Sequence, residues 1–503
     1  MNIKQAKEEI KHTVCAYLAK EENGMYCIPS VRQRPILLIG PPGIGKTQIM
    51  EQVARECRIG LVSYTITHHT RQSAIGLPYI KEETYFNKTY SITEYTMSEI
   101  IASIYQKMRD SGLKEGILFI DEINCVSETL APTMLQFLQC KTFGNQSIPE
   151  GWIIVAAGNP PEYNKSVRDF DMVTLDRVRY MELEADFVVW KEYAKTVHIH
   201  RAILSYLELR PNNFYRVESD VDGMQFVTAR GWEDLSHLLK IYEKLHLPVN
   251  ETVIYEFLHH KETAMDVAAY FDLFYKYQDD YDISNILSGN IRPQVFARIS
   301  HAGFDERLSV TNLLSDGLSN YFVRASIEKE RTDLWYSFLK KYRNELTDAK
   351  EPAICYSRLL KQLEQTFALE QEGNLLNRTQ YKNKEWLLIK LKNGIPENGL
   401  NPHEAFLHVK SEFELQTDHL EQAELAAILA LEHAFDFMEQ AFRGGQEMIV
   451  FVTDLTIGIE SSAFLAEHPS DRYTRYNEQL LIGTRREQLL SELARDSEQF
   501  MTL

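Results

Sequence analysis

The sequence predicts an α/β fold: a parallel phosphate-loop sheet sandwiched by helices, then a helical lid and an additional, mainly α-helical C-terminal region. Three observations carry that expectation. Residues 40 to 47 satisfy G-x-x-x-x-G-K-[ST] at every fixed position, between an apolar run at 35–39 and helical spacing from Gln48 to Ala54. From 31 to about 185, short β-branched runs alternate with helical segments, as parallel strands and their crossover helices require. Beyond about 186 the pattern is almost wholly helical.

Residues 1–30 read as a helical lead-in that ends in a turn at Asn23-Gly24. The α/β domain, 31–186, has expected strands at 35–39, 61–67, 117–121, 152–157 and 178–183. An insertion at about 77–95, rich in Tyr and Thr, reads as a β-hairpin ahead of a helix near 97–110. The lid, 187–280, has helical runs at 187–209, 228–246, 249–261 and 263–279, with a short hairpin in 211–226 broken at Asp222-Gly223. Residues 281–503 continue as helices, with amphipathic runs at 353–370, 403–415 and 419–443 and no internal repeat.

Composition bounds the function. With 44% hydrophobic and 25% charged residues, the chain reads as globular and long enough for about three domains. The net charge of −18 works against a broad nucleic-acid footprint, which needs cations to displace counterions. Six scattered cysteines, without a C-x-x-C pair or zinc spacing, read as reduced thiols. The charged N-terminus is not a signal peptide, and apolar stretches such as Met448–Val452 are too short to span a bilayer. The expectation is a cytoplasmic protein.

The chemistry starts at the phosphate loop. Gly40, Pro41, Pro42, Gly43, Ile44, Gly45 and the helix start at Lys46, Thr47 and Gln48 would cradle a nucleoside triphosphate with backbone N–H groups. Lys46 would neutralise the β- and γ-phosphates, and the Thr47 hydroxyl would bind Mg2+. Ile117-Leu118-Phe119-Ile120-Asp121-Glu122 is an apolar strand ending in two acids. Asp121 would support the metal through water, and Glu122 would deprotonate the attacking water. The fourth expected strand ends at Gly158-Asn159-Pro160, where Asn159 could meet the γ-phosphate or simply make a turn. The whole reading requires the glycine loop and the acidic pair, some 75 residues apart, to meet.

These three motifs resemble the Walker A, Walker B and sensor-1 motifs of AAA+ ATPases. Asp121-Glu122-Ile123-Asn124 and Asn159-Pro160 resemble the MoxR and dynein-related group. Leu175-Asp176-Arg177-Val178 is similar to the segment where that group carries an arginine finger, and Thr228-Ala229-Arg230 to its sensor-2 segment. The insertion falls where such proteins carry a hairpin in their second helix. Cys125, Val178 and Ala229 depart from the group's usual arginine, phenylalanine and proline. The resemblance covers about 31–280. It implies ATP and Mg2+ as cofactors, ATP hydrolysis, and self-association into a ring of six. It further implies remodelling or maturation of a protein client, such as a von Willebrand A domain protein. Arg177 is the preferred finger, with Arg179 and Arg168 open, and Arg230 would report the γ-phosphate to the lid.

Other functions stay in view: a nucleotide-gated binding module with little turnover, which would have no use for Glu122, and a nucleic-acid-associated motor subunit, which the charge disfavours. His68-His69 point apart on an extended chain and read as loop histidines rather than a metal site, and Arg71 as a surface cation. Val450-Phe451-Val452-Thr453-Asp454 is similar to a von Willebrand A metal motif, but Gly458 stands where a hydroxyl belongs and too few residues follow. A buried helix or strand is the better reading there.

Overall fold

The computed structural model describes residues 1–68, 72, 74, 76–143, 146–163, 170–220, 223–346 and 351–480. Contacts divide them into two compact units. The first comprises 1–189, 228–230 and 360–388; the second comprises 190–227, 231–359 and 389–503.

The first unit is built on a five-stranded, wholly parallel sheet. Its strands are β1 (Ile36–Ile39), β2 (Gly60–Thr65), β5 (Gly116–Asp121), β8 (Trp152–Gly158) and β9 (Arg179–Glu182), in the order β2-β5-β8-β1-β9. Every residue of β1 and β8 is buried, which is why they read as unbroken apolar runs rather than alternating ones. The interleaved helices are α2 (Lys46–Cys57), α3 (Glu99–Ser111) and α4 (Ala131–Cys140). Ile100 and Ile104 of α3 and Phe137 of α4 join Leu118, Ile120, Trp152 and Ile154 in one apolar core. The insertion is a hairpin of β3 (Pro78–Tyr85) and β4 (Lys88–Tyr95), in antiparallel register as expected. A second small hairpin, β6 (Thr142–Phe143) and β7 (Gln146–Ser147), precedes β8.

The lead-in is a helix, α1 (Ile3–Leu18), opened by an Asn2–Gln5 capping box. Glu56 at the end of α2 accepts Lys7 at 2.6 Å and Lys11 at 2.9 Å, so α1 lies against the phosphate-loop helix. The first unit also takes in the adjoining parts of α14 (Pro352–Glu372) and α15 (Arg378–Asn393). Lys107 of α3 donates to the Glu372 carbonyl at 2.6 Å.

Among the described residues the second unit is helical apart from the hairpin of β10 (Arg216–Asp220) and β11 (Gly223–Val227). The expected helix 187–209 is two: α6 (Phe187–Thr196) and α7 (Arg201–Leu209). His198 takes a left-handed φ of 55°, which no α-helix tolerates, and the chain restarts at His200. α8 (Ala229–Leu245), α9 (Glu251–Leu258) and α10 (Lys261–Tyr281) lie close to the expected runs. Beyond them come α11 (Ile283–Leu287), α12 (Pro293–His301) and α13 (Phe304–Leu346), a 43-residue helix. The runs 403–415 and 419–443 form one 41-residue helix, α16 (Pro402–Phe442). The polar gap between them does not break it, because Gln416 is buried and donates to Glu328 of α13 at 2.7 Å.

α17 (Gln446–Ile457) and α18 (Ile459–Glu467) follow, so the Val450–Thr456 run is a helix. Among the described residues no single helix is long and apolar enough to cross a membrane. α17 and α18 pass that test only as a pair, and they bend by 84° at Gly458.

Candidate functional site

Parallel strands deliver their carboxyl ends to one edge of a sheet, and here three neighbouring strands, β5, β8 and β1, end beside the phosphate loop. The loop leaves β1 and turns into α2 through Gly43 (φ +74°) and Gly45 (φ +96°), left-handed conformations that side chains rarely adopt. Gly45 is the N-cap of α2, so the helix start faces the loop with its free N–H groups. Lys46 is only 8% exposed. Its ammonium donates to the Gly40 carbonyl at 2.7 Å, the Pro41 carbonyl at 2.9 Å and Asn159 Oδ1 at 2.9 Å. Burial pushes its pKa down to about 8; nearby Arg230 adds to that, and Asp121 and Glu122 oppose it.

Thr47 Oγ1 donates to Asp121 Oδ2 at 3.1 Å, so the glycine loop and the acidic strand end do meet. The other Asp121 oxygen accepts the Glu122 N–H at 2.9 Å. Glu122 itself stands at φ 57°, a left-handed residue at the end of a strand, which costs on the order of 1 kcal/mol. That turn takes Glu122 out of the strand's line, and Thr67 Oγ1 donates to its Oε2 at 2.9 Å. Asn124 Nδ2 donates to the Asn159 carbonyl at 2.8 Å and so ties the acidic turn to the end of β8. A Cβ on Gly158 would come within 2.3 Å of Asn124 Oδ1, so a side chain there would have to push the Asn124 amide aside.

Arg230 is exposed and donates its backbone N–H to the Gly43 carbonyl at 3.1 Å, with Thr228 packed against the same glycine. The segment at the start of α8 therefore touches the phosphate loop directly. Arg177 is exposed and donates to the Gln139 side-chain oxygen rather than to Asp171 or Asp176. Arg179, by contrast, is spent inside the first unit, donating to Thr13 at 2.7 Å and to Glu9 of α1. Arg168, His69 and Arg71 lie outside the described residues.

Sequence reading gave no role to Thr67 or Asn124. Thr67 follows β2, which pairs with β5, and that pairing is set by strand order rather than by any pattern in the sequence.

Residues 36–173 match the family described as "ATPase family associated with various cellular activities (AAA)", about a quarter of the chain. They form an AAA ATPase domain. No curated protein matches the chain. Among solved structures, one from Cytophaga hutchinsonii, described as a candidate ATPase, is 15% identical with a TM-score of 0.23. The match covers 37% of this chain, and this chain spans 46% of that one.

The AAA domain has residues that fit a nucleotide and a Mg2+ ion. Lys46 is a buried cation that, among the described residues, holds only carbonyl and amide oxygens, leaving its charge available to phosphate. Asp121 and Thr47 supply one carboxylate and one hydroxyl. Among the described residues no cluster of three His, Cys, Asp or Glu could hold a metal. A site of that kind suits Mg2+, which keeps water and phosphate oxygens as its other ligands.

Proposed function

We propose that the chain hydrolyses ATP with Mg2+ and uses the cycle to remodel or mature a protein partner in the cytoplasm, as the MoxR group does. The observation that carries this reading is the Thr47–Asp121 contact with Glu122 beside it. Backbone N–H groups from Gly43 to Gln48, with Lys46, bind the triphosphate, and Thr47 and Asp121 hold the metal. The metal, when bound, offsets charge on the β- and γ-phosphate oxygens. Glu122 takes a proton from the attacking water, the γ-phosphorus–oxygen bond to ADP breaks, and Asn159 holds the water or the γ-phosphate in line. Arg230 reports the state of the γ-phosphate to α8.

Arg177 completes the site of the next subunit. Its exposure and its uncharged partner support this assignment, whereas the cis contacts of Arg179 argue against the alternative. A finger acting in trans requires a ring of heterologous contacts, proposed here as six subunits. A von Willebrand A domain protein is the client class this reading favours.

The test is Glu122→Gln. The variant should bind ATP as the native chain does, release no phosphate above background, and retain partners in a pull-down with ATP. Unchanged phosphate release would remove Glu122 from its role, and a native rate already at background would leave the nucleotide-gated module as the better reading.

A further inference from the structure

The lead-in helix meets the phosphate-loop helix along a stripe of three α1 residues one turn apart: Lys7, Lys11 and Cys15. The stripe flanks the buried face of Ala6, Ile10, Val14 and Tyr17. Lys7 and Lys11 both reach Glu56, at 2.6 Å and 2.9 Å, and Glu56 immediately precedes Cys57, the last residue of α2. One further turn of the same stripe sets Cys15 beside Cys57. The two thiols are neighbours, and the Lys11 ammonium stands near the Cys57 sulfur as well. Both thiols are free, Cys15 exposed and Cys57 half-buried.

The two sulfurs are unequal in a way that suits a sequential reaction. Cys15 is open to solvent, so a soluble oxidant meets it first. Burial and the neighbouring Cys15 push the Cys57 thiol up, and Lys11 opposes them. Cys57 is therefore the screened partner, placed to close on a modified Cys15 rather than to meet the oxidant itself.

We propose that Cys15 and Cys57 form a reversible disulfide, made by hydrogen peroxide, that fastens the lead-in helix to the end of the phosphate-loop helix. The Cys15 sulfur attacks the peroxide, the O–O bond breaks, and Cys15 becomes a sulfenic acid as one water leaves. The Cys57 sulfur then attacks the Cys15 sulfur, and the S–O bond breaks. The S–S bond forms as a second water carries off the Cys57 proton. Two thiols thus lose two electrons and two protons, and one peroxide is reduced to two waters. A dithiol reductant reverses the link by thiol–disulfide exchange.

The link closes a loop of some 40 residues that includes β1 and the phosphate loop, so it constrains the unfolded chain more than the folded one. Lys46 and Thr47 lie at the opposite end of α2, about 16 Å away at 1.5 Å per residue. The clasp should therefore act on the stability of the first unit and leave nucleotide affinity unchanged. It holds whatever the fate of ATP.

The experiment uses the full chain, reduced and then treated with a small molar excess of hydrogen peroxide. Free thiols are blocked, the chain is digested without reductant, and the peptides are mapped by mass spectrometry. A Cys15–Cys57 linked peptide should be the dominant disulfide, with the melting temperature of the first unit raised by about 5 °C. Dithiothreitol should return both to their starting values. In Cys57→Ser, Cys15 should stop at the sulfenic acid, trapped by dimedone, and peroxide should no longer raise the melting temperature. In Cys15→Ser no link should form. Dibromobimane, which fluoresces when it bridges two thiols a few ångströms apart, tests the reduced chain without any oxidation: the native chain should give the signal and either variant should lose it. Links through the exposed Cys27 or Cys140 in place of this pair would overturn the assignment. So would overoxidation of Cys15 with Cys57 left free, a native chain without the bimane signal, or a link that leaves the melting temperature unchanged.

Discussion

Lys141 offers a sharp check on the electrostatics of the first unit. It sits just past α4, 7% exposed, and among the described residues its ammonium reaches one partner, Gln33 Oε1, at a long 3.4 Å. Burial alone pushes its pKa down to about 8, from 10.5. Below pH 8 both folded and unfolded chains carry the proton, and the folded state bears the whole burial penalty, about 3 kcal/mol for a shift of that size. Between 8 and 10.5 the unfolded chain binds the proton that the folded one has lost, so stability rises with pH and the penalty fades. Replacing Lys141 with Met removes the penalty but strands Gln33 Oε1, at about 1 kcal/mol. Lys141→Met should therefore be more stable than the native chain by about 2 kcal/mol near pH 7, and about equal to it near pH 9.5. Urea unfolding at the two pH values, followed by circular dichroism and tryptophan emission, measures both differences. A variant less stable near pH 7, or a difference that does not change with pH, would refute the reasoning.

Three further outcomes test the nucleotide site. Thr67→Val removes the 2.9 Å bond that holds Glu122, and should lower kcat about tenfold with KM unchanged; an equal rise in KM would show that Thr67 serves binding instead. Gly158→Ala puts a Cβ 2.3 Å from Asn124 Oδ1, and should cost about 1–3 kcal/mol in stability and loosen Asn159, so that turnover falls more than ADP affinity. Arg177→Ala should lower turnover about 10³-fold while ATP binding persists, and native turnover per subunit should rise with concentration; Arg179→Ala should instead loosen α1 and leave turnover per folded molecule nearly intact. A native rate that is flat on dilution, or the opposite ranking of the two arginines, would remove Arg177 from its trans role.

Much of the sheet was legible because buried parallel strands are short, unbroken apolar runs that end in chemistry: Ile36–Ile39 before the glycines, Gly116–Asp121 before Glu122, Trp152–Gly158 before Asn159. The β3–β4 hairpin was legible from its Tyr- and Thr-rich composition and the β10–β11 hairpin from its Asp222-Gly223 turn signal, whereas the two-residue strands of β6–β7 were too short to leave a pattern. What sequence does not carry is partnership across the chain. Residues 360–388 look like any amphipathic pair of helices, and nothing in their spacing says that they join the first unit rather than the second. The break at His198 was hidden because a left-handed histidine has no composition signal, unlike a glycine or proline. Thr67 was missed for a related reason: its partner Glu122 is 55 residues away, and only strand order brings them together.

Two depressed lysines of the first unit, Lys46 and Lys141, show why perturbed acidity alone does not mark a site. Lys46 and Lys141 are both nearly enclosed, and burial moves both to about 8. Lys141 has one distant amide oxygen and no carboxylate affecting its acidity, so its charge serves nothing and its removal should stabilise the fold. Lys46 is held by three oxygens in a loop shaped by left-handed glycines, with Asp121 and Glu122 close enough to raise its pKa and Arg230 close enough to lower it. A phosphate brought to that loop would supply the negative charge that Lys46 lacks, and the burial that weakens the free cation would then strengthen the pair. Lys46→Met should accordingly leave the free chain folded but abolish the rise in melting temperature that ATP and Mg2+ produce, whereas Lys141→Met should keep that rise in full. If both variants lose the nucleotide-induced rise, or neither does, the distinction between a buried cost and a binding charge fails, and the site has been assigned on burial alone.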